Sequence, residues 1–440
     1  MRVVIALVCL LMPGMAWSSG KNDVFTLDEV IAYGMENSAV VRSAQADVAA
    51  ESTGVRAAEA ARMPKFDLQG GVTKYSYPSP VTPIAGSPTA GLAFPEFDRT
   101  IYNAGLTFNL PLFQGGRLIR GVTIAKLRRS IAEDTFLMSR QDLIYNLTST
   151  YYKILQLDKM LQAHEASVRQ LEAHKRDVEV ALVAGTVAKV QLLKAETELA
   201  HARQAALISK NNLESAYELL KALMGIEDSN RSITVIEAPQ AHDPHLSLEE
   251  SMPLALRQRH DYQASRKKLE MHEERVKRTE GKKLPSLSVT GEYADTAGTD
   301  LELNENWAIG LRLTIPLFDG GAVAAEIGRE KAELLKAKEN ERALRIDIFR
   351  EVRIAHLSIE NAADRIDAAG TSIESAKENL RIERLKYKAG GGTSTDVIDA
   401  QEALLRAETD YYQALFDKKI ALASLRKAIG KEFIGEEGEK

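Results

Sequence analysis

The chain is written twice, and this repetition constrains its fold more than any single motif. Phe25 to Pro64 lines up with Leu246 to Pro285 at a constant shift of 221 residues, pairing FTLDE with LSLEE. Pro111 to Gly225 lines up with Pro316 to Gly430 at a shift of 205, pairing PLFQGG with PLFDGG, Gly185 with Gly390 and Ala195 with Ala400. The 16-residue difference falls in one place, the stretch YPSPVTPIAGSPTAGLAFPEF, which reads as a surface loop longer than its counterpart ADTAGTDLELNEN. Two copies imply one fold with internal pseudo-symmetry, not an array of many repeats. The predicted divisions are repeat 1 over 20–226, a linker over 227–245, repeat 2 over 246–430 and a short acidic tail over 431–440.

Each copy runs helix, strand, loop, strand, very long helix, Gly turn, returning helix. Alternate steps of four and three from Leu143 meet Leu147, Thr150, Ile154, Leu157, Leu161, His164, Val168, Leu171, Lys175, Val178 and Leu182, the seam of a coiled coil. The same register in the second copy meets Ile348, Val352, Ala355, Ile359, Ala362, Ile366, Ala369, Ile373, Ala376, Leu380, Glu383 and Tyr387, alternating large with small. No proline interrupts 117–183. At about 1.5 Å per residue that segment predicts a rod roughly 100 Å long. The leading helix, about Leu27 to Arg62, and the returning one, about Val187 to Leu223, are each near half that length, so stacked end to end they match it. Pro253 in the second leading helix predicts a late start or a kink.

Four short segments carry the other period. Tyr102, Ala104, Leu106, Phe108 and Leu110 alternate with polar or small residues, as do Leu287, Val289 and Tyr293, and Trp307, Ile309, Leu311, Leu313 and Ile315; Phe66, Leu68 and Val72 begin the least regular one. A sheet packed on helices explains such alternation in a generic α+β protein. Export changes the balance. Arg2 precedes an apolar run from Val3 to Met12, and Pro13, Gly14, Ala16 and Ser18 supply a cleavage region, so residues 1–19 read as a signal peptide. No later stretch holds 18 apolar residues, so a second meeting with a membrane would have to use strands of about ten residues. Four strands cannot close a barrel, since the smallest use about eight, and an open edge in lipid leaves backbone groups unpaired. Three chains would supply twelve strands and bring their long helices into one cylinder, a conduit built by a homotrimer.

The remaining chemistry is mostly exclusion. Fifty-seven basic against 62 acidic side chains give a net charge of -5, too little positive field to draw nucleic acid. Cys9 is the single cysteine, which excludes an intramolecular disulfide and a cysteine-ligated metal. His242 and His245 of HDPH lie in a polar linker and read as solvated, so no metal and no cofactor is expected. The glycine pairs Gly115–Gly116 and Gly320–Gly321 read as strand-to-helix turns; the lysine and hydroxyl spacing of a nucleotide loop is missing.

The duplicated plan, the PLFQGG and PLFDGG junctions and the tip segment YKAGGGTSTDVIDAQ together resemble the TolC-like outer membrane factor family of Gram-negative bacteria. The resemblance covers nearly the whole chain after the signal. It implies a mainly α fold with a small β part, in which long helical hairpins form an α-barrel and four strands per chain form a shared 12-stranded membrane β-barrel. It also implies a trimeric exit duct in outer membrane lipid that meets a periplasmic adaptor protein and an inner-membrane transporter, and performs no catalysis. Asp396 and Asp399 of DVID match an aspartate pair that rings the periplasmic entrance, and Tyr387 matches a tyrosine that latches it. The family's latch arginine aligns with Gly392, so that ionic restraint is expected to be absent or supplied elsewhere. The turns Ala184, Gly185, Thr186 and Gly390, Gly391, Gly392, Thr393 become the tips where an adaptor docks. Two simpler readings stand beside these: Thr393 or Ser394 with Asp396 makes a helix N-cap, and the glycines merely reverse the chain. Copy one has Gln191 and Lys194 where copy two has the acidic pair, so the turn itself does not demand acids. A periplasmic coiled-coil adaptor is the rival function; it would show one hairpin between small β domains.

Overall fold

A computed structural model describes residues 23–80, 97–228, 230–237 and 246–431. The predicted signal peptide, most of the inserted loop, His242, His245 and the tail beyond Lys431 lie outside the described residues. The elements are β1 (Asp23–Phe25), α1 (Leu27–Asn37), α2 (Ala39–Ala60), β2 (Lys65–Pro80), β3 (Phe97–Gln114), α3 (Arg117–Val183), α4 (Lys189–Met224), β4 (Ile233–Val235), α5 (Leu248–Gln258), α6 (His260–Glu280), β5 (Ser286–Ala297), β6 (Leu303–Thr314), α7 (Ala322–Lys388) and α8 (Ser394–Ile429), with one 3₁₀ turn at Gly281–Lys283.

The long helices α3 and α7 have 67 residues each and the returning helices α4 and α8 have 36, with both ends of both pairs related by the shift of 205. The heptad seam is what α7 buries. Beyond Ile327 its buried residues are Ile348, Val352, Ala355, Ala362, Ala369, Ala376 and Leu380, every one a seam position. Small alanines let α8 come close, and Val397, Ala400, Leu404 and Ala407 fill the opposite side. On α3 the seam is joined by a second buried line, Ile144, Tyr152, Leu155 and others, packed with Phe416 of α8. The helices thus lie side by side in the order α4, α3, α8, α7, and nearer the sheet α2 and α6 replace α4 and α8.

The leading helices break at Ser38 and at Arg259, positions related by the shift of 221. Pro253 therefore causes neither a late start nor the break: α5 begins at Leu248, the counterpart of Leu27, launched by a capping box in which Ser247 and Glu250 exchange hydrogen bonds. Steric crowding supplies the reason for the break. A Cβ on Gly225, the C-cap of α4, would come within 2.6 Å of the Asn37 carbonyl oxygen, and one on Gly430, the C-cap of α8, within 2.8 Å of the Gln258 carbonyl carbon. The returning helix ends against the leading one at the same place in both copies.

Two strands escaped the sequence reading. β1 and β4 pair in parallel, Asp23 with Ile233 and Phe25 with Val235, and the Arg231–Asp23 ion pair at 2.7 Å ties the start of the predicted linker to the first residues of repeat 1. Three-residue strands are too short for a period to register.

The four predicted strands form one antiparallel sheet in the order β2, β3, β5, β6, with 16, 18, 12 and 12 residues, longer than the expected ten. Pairing of β3 with β5 joins the copies. Cross-strand rows such as Leu68–Leu106–Tyr293–Trp307 lie on one face, and rows such as Asp67–Thr107–Glu292–Ala308 on the other. The apolar face carries exposed Phe66, Leu68, Trp307, Ile309, Leu311 and Leu313. Edges β2 and β6 have no partner among the described residues. No described helix is long and apolar enough to cross a membrane.

Candidate functional site

Both helical hairpins reverse through the same backbone device. At the end of α3, Gly185 has φ 73° and the Thr186 N–H donates to the Ala181 carbonyl at 2.9 Å; at the end of α7, Gly390 has φ 78° and the Gly391 N–H donates to the Lys386 carbonyl at 2.9 Å. These are Schellman turns, and positive φ at that position favours glycine. Gly392 serves differently. A Cβ there would lie 3.1 Å from the Tyr387 nitrogen and 3.2 Å from the Lys386 Cβ, so the last turn of α7 leaves little room for the family's arginine. The strand-to-helix turns use glycine too. Gly116 and Gly321 are N-caps of α3 and α7 with positive φ, while a Cβ on Gly115 would sit 2.1 Å from the Gly281 carbonyl oxygen. The same position on Gly320 is open.

The two aspartates have different surroundings. Asp396 closes a capping box at the start of α8: its carboxylate accepts from the Thr393 N–H at 2.8 Å and the Thr393 hydroxyl at 2.7 Å, while its own N–H donates to Thr393 Oγ1 at 3.2 Å. Those hydrogen bonds, with Lys386 nearby, hold the carboxyl below its ordinary range. Within one chain this is opposite to the rise that a ring of carboxylates would cause, and it is the capping reading that the geometry displays. Asp399, one turn on, is exposed and adds its charge to Glu198 of α4 and Glu402 of α8. Partial burial, then those charges, push Glu402 upward. Lys194, the copy-one counterpart of Asp399, donates to the Thr395 hydroxyl at 3.3 Å and so reaches across to α8.

Tyr387 meets a histidine that the motif reading passed over. The buried His174 of α3 stacks edge-on against the Tyr387 ring at 5.2 Å, and its Nε2 lies 2.7 Å from Oγ of Ser394, the first residue of α8. Burial keeps the His174 pKa low, against an upward pull from Asp177. One neutral imidazole therefore joins α3, α7 and α8. Burial and Asp177 raise the Tyr387 phenol. Because His174 lies nine residues before Val183 yet level with Ser394, the second tip is drawn back along the axis by roughly 13 Å. Ion pairs Arg203–Glu172 at 2.7 Å and Lys175–Glu196 at 3.1 Å bind α4 to α3 near the same end.

The model of the family described as "Outer membrane efflux protein" matches residues 34–226 and 252–431. The outer membrane protein TolC of Vibrio cholerae is 25% identical over 341 residues, 75% of this chain and 77% of that protein; in two further TolC proteins the match spans about two thirds of the length. The outer membrane efflux protein BepC of Brucella suis is 23% identical over 419 residues, 92% of this chain and 85% of its own. Among solved structures, the outer membrane protein VceC of Vibrio cholerae superposes with a TM-score of 0.78 at 19% identity, covering 93% of this chain and 97% of that one.

Proposed function

Because this chain belongs to the outer membrane efflux protein family, we propose that three copies close into one conduit, a twelve-stranded barrel continued by a helical tunnel, serving as the exit duct of an efflux pump or a type I secretion system. The family places it in the outer membrane of a Gram-negative bacterium. Its relatives are channels, and the rival reading as an adaptor has no support from them. The helical part extends into the periplasm, with Asp396, Asp399 and Tyr387 at its entrance and the turns at 184–186 and 390–393 as the surface offered to an adaptor and, behind it, an inner-membrane transporter.

The observation that carries this reading is a set of contacts made once within the chain and left open once outside it. Copy one meets copy two where α3 packs on α8, β3 pairs with β5 and Gly115 abuts Gly281. Shifts of 205 and 221 convert these into α7 on α4, β6 on β2 and Gly320 on Ala60 of a neighbouring copy. Those surfaces are open, and α7 and α4 carry exposed Ile354, Leu357, Leu385, Leu207 and Ile208. Two copies would give eight strands, whose interior side chains fill; three give twelve and leave a lumen.

Pseudo-symmetry also gives the register. Asn109 pairs with Thr290 across β3 and β5, so Thr314 should pair with Gln69 of the next copy. A Gln69→Cys/Thr314→Cys protein, oxidised in the membrane, should yield covalent dimers and trimers and nothing larger, since directly paired strand positions lie within disulfide reach. Monomers alone, or a ladder beyond three, would overturn the assembly. For the entrance, Asp396→Ala with Asp399→Ala should weaken cation block of single channels in planar bilayers while leaving assembly intact; unchanged block would reject the gate assignment.

A further inference from the structure

A cavity of about 400 Å³ lies between α3, α7 and α8, about 57 residues along α3 from the sheet. Its walls include Arg169, Asp177, Arg384, Tyr387, Lys388 and Gln401. Three polar atoms of two side chains there lack partners among the described residues. Gln401 is 3% exposed, and neither its amide oxygen nor its nitrogen has a hydrogen-bond partner among the described residues; the Tyr387 hydroxyl has none either. Arg384 donates to Gln170 Oε1 at 2.9 Å, a neutral group, and forms no ion pair among the described residues. Buried polar groups are normally satisfied, so three unsatisfied atoms, the oxygen and nitrogen of Gln401 and the hydroxyl of Tyr387, around one space point to a missing molecule.

Charge selects its class. Three cations, Arg169, Arg384 and Lys388, face one carboxylate, Asp177, with Arg169 shared with Glu165 at 3.8 Å. The neutral His174 ring completes the wall. An anion fits that balance. Hydrogen bonding narrows it further, because the Tyr387 hydroxyl and the Gln401 amide nitrogen can donate, whereas the Gln401 amide oxygen needs a donor from the ligand. Sulfate and carboxylates at neutral pH bring no proton. Hydrogen phosphate brings one.

We propose that this cavity binds inorganic hydrogen phosphate, with Arg384 and Lys388 as charge partners, Tyr387 as donor, and the Gln401 amide both giving to and receiving from the phosphate. Lipid phosphate is excluded as the source by distance, since the cavity is roughly 85 Å along α3 from the strand-to-helix turn at Gly116. A bound phosphate would bridge α7 and α8 beside Tyr387, against the α3 wall of the cavity, and would hold them in their present arrangement. Binding itself requires only one chain, so it stands apart from the trimer and gate readings.

The test is calorimetric titration of the purified full-length protein in detergent with inorganic phosphate at pH 7, with sulfate and acetate as separate arms. Expected is saturable binding of one phosphate per chain, with sulfate and acetate markedly weaker. Arg384→Met should weaken phosphate by about tenfold or more, as loss of a charged hydrogen bond does. Gln401→Met, close in shape and unchanged in charge, should erase the preference for phosphate over sulfate, and circular dichroism should confirm that both variants fold. Absence of saturable heat, sulfate equal to phosphate in the parent, or full phosphate binding by folded Arg384→Met would each overturn the proposal.

Discussion

The two long helices have the same length, register and returning partner, yet different surroundings. Ile144 of α3 is 3% exposed and its counterpart Phe349 on α7 is 39%; Tyr152 is 3% exposed and its counterpart Leu357 is 51%. Helix α3 finds its second partner, α8, within its own chain. Helix α7 leaves Phe349 and Leu357, an apolar line of the same spacing, largely uncovered among the described residues. The difference teaches that a duplicated sequence need not give two equivalent environments: one copy is finished by the other, while the matching surface of the other stays uncovered among the described residues.

The sharpest way to break that comparison is to charge the open face. Ile354→Glu with Leu357→Glu should convert most of the protein from trimer to monomer, read by sedimentation in detergent, with helical content retained. Charging a face that already meets water would leave the trimer unchanged, and the comparison would fail. Next in size, Ile144→Ala should cost about 2–5 kcal/mol in chemical unfolding, as a deleted buried side chain does. Phe349→Ala should approach that cost only in the assembled protein and fall well short of it in dissociated chains.

A smaller effect follows from His174, where burial depresses the imidazole. Its folded pKa lies below its unfolded value near 6.5, so the folded state is penalised as pH falls through and below that value. Melting curves should show the parent losing stability below about pH 6.5, and His174→Asn should flatten that slope. The smallest effect belongs to Glu402, whose raised pKa means that its cost develops as pH climbs from the ordinary carboxylate value to the folded one, is complete above it and vanishes in acid. Glu402→Gln should raise the melting temperature slightly at neutral pH and leave it unchanged below the ordinary carboxylate range.

Long helices were legible because each residue of the seam votes for the same period and the second copy repeats the vote; the bounds of α3 follow from the glycine turns at Gly115–Gly116 and Gly185 that flank a stretch without proline. Sheet faces were legible for the same reason. Their lengths were not, since polar residues such as Asp295 and Glu305 extend the ladder on the face that Tyr293 and Trp307 otherwise make apolar. Pro253 misled because the interruption in its neighbourhood arises from contact with the end of α8, which no local rule contains. His174 was invisible for a related reason: it sits off the seam, on the face that meets α8, and its counterpart in the second copy is Asn379. At the start of α8, Asp396 was legible both as a cap and as a gate residue, and its hydrogen bonds display the cap.

The matched breaks at Ser38 and Arg259 carry a mechanical consequence. Each copy sets one unbroken strut beside a jointed one, so torsion applied at the far tips travels the whole shaft along α3 and α7 while the elbows absorb the misfit. A twist of the shaft would then be taken up at the elbows, and the ribbons at the other end would not have to slip a single rung.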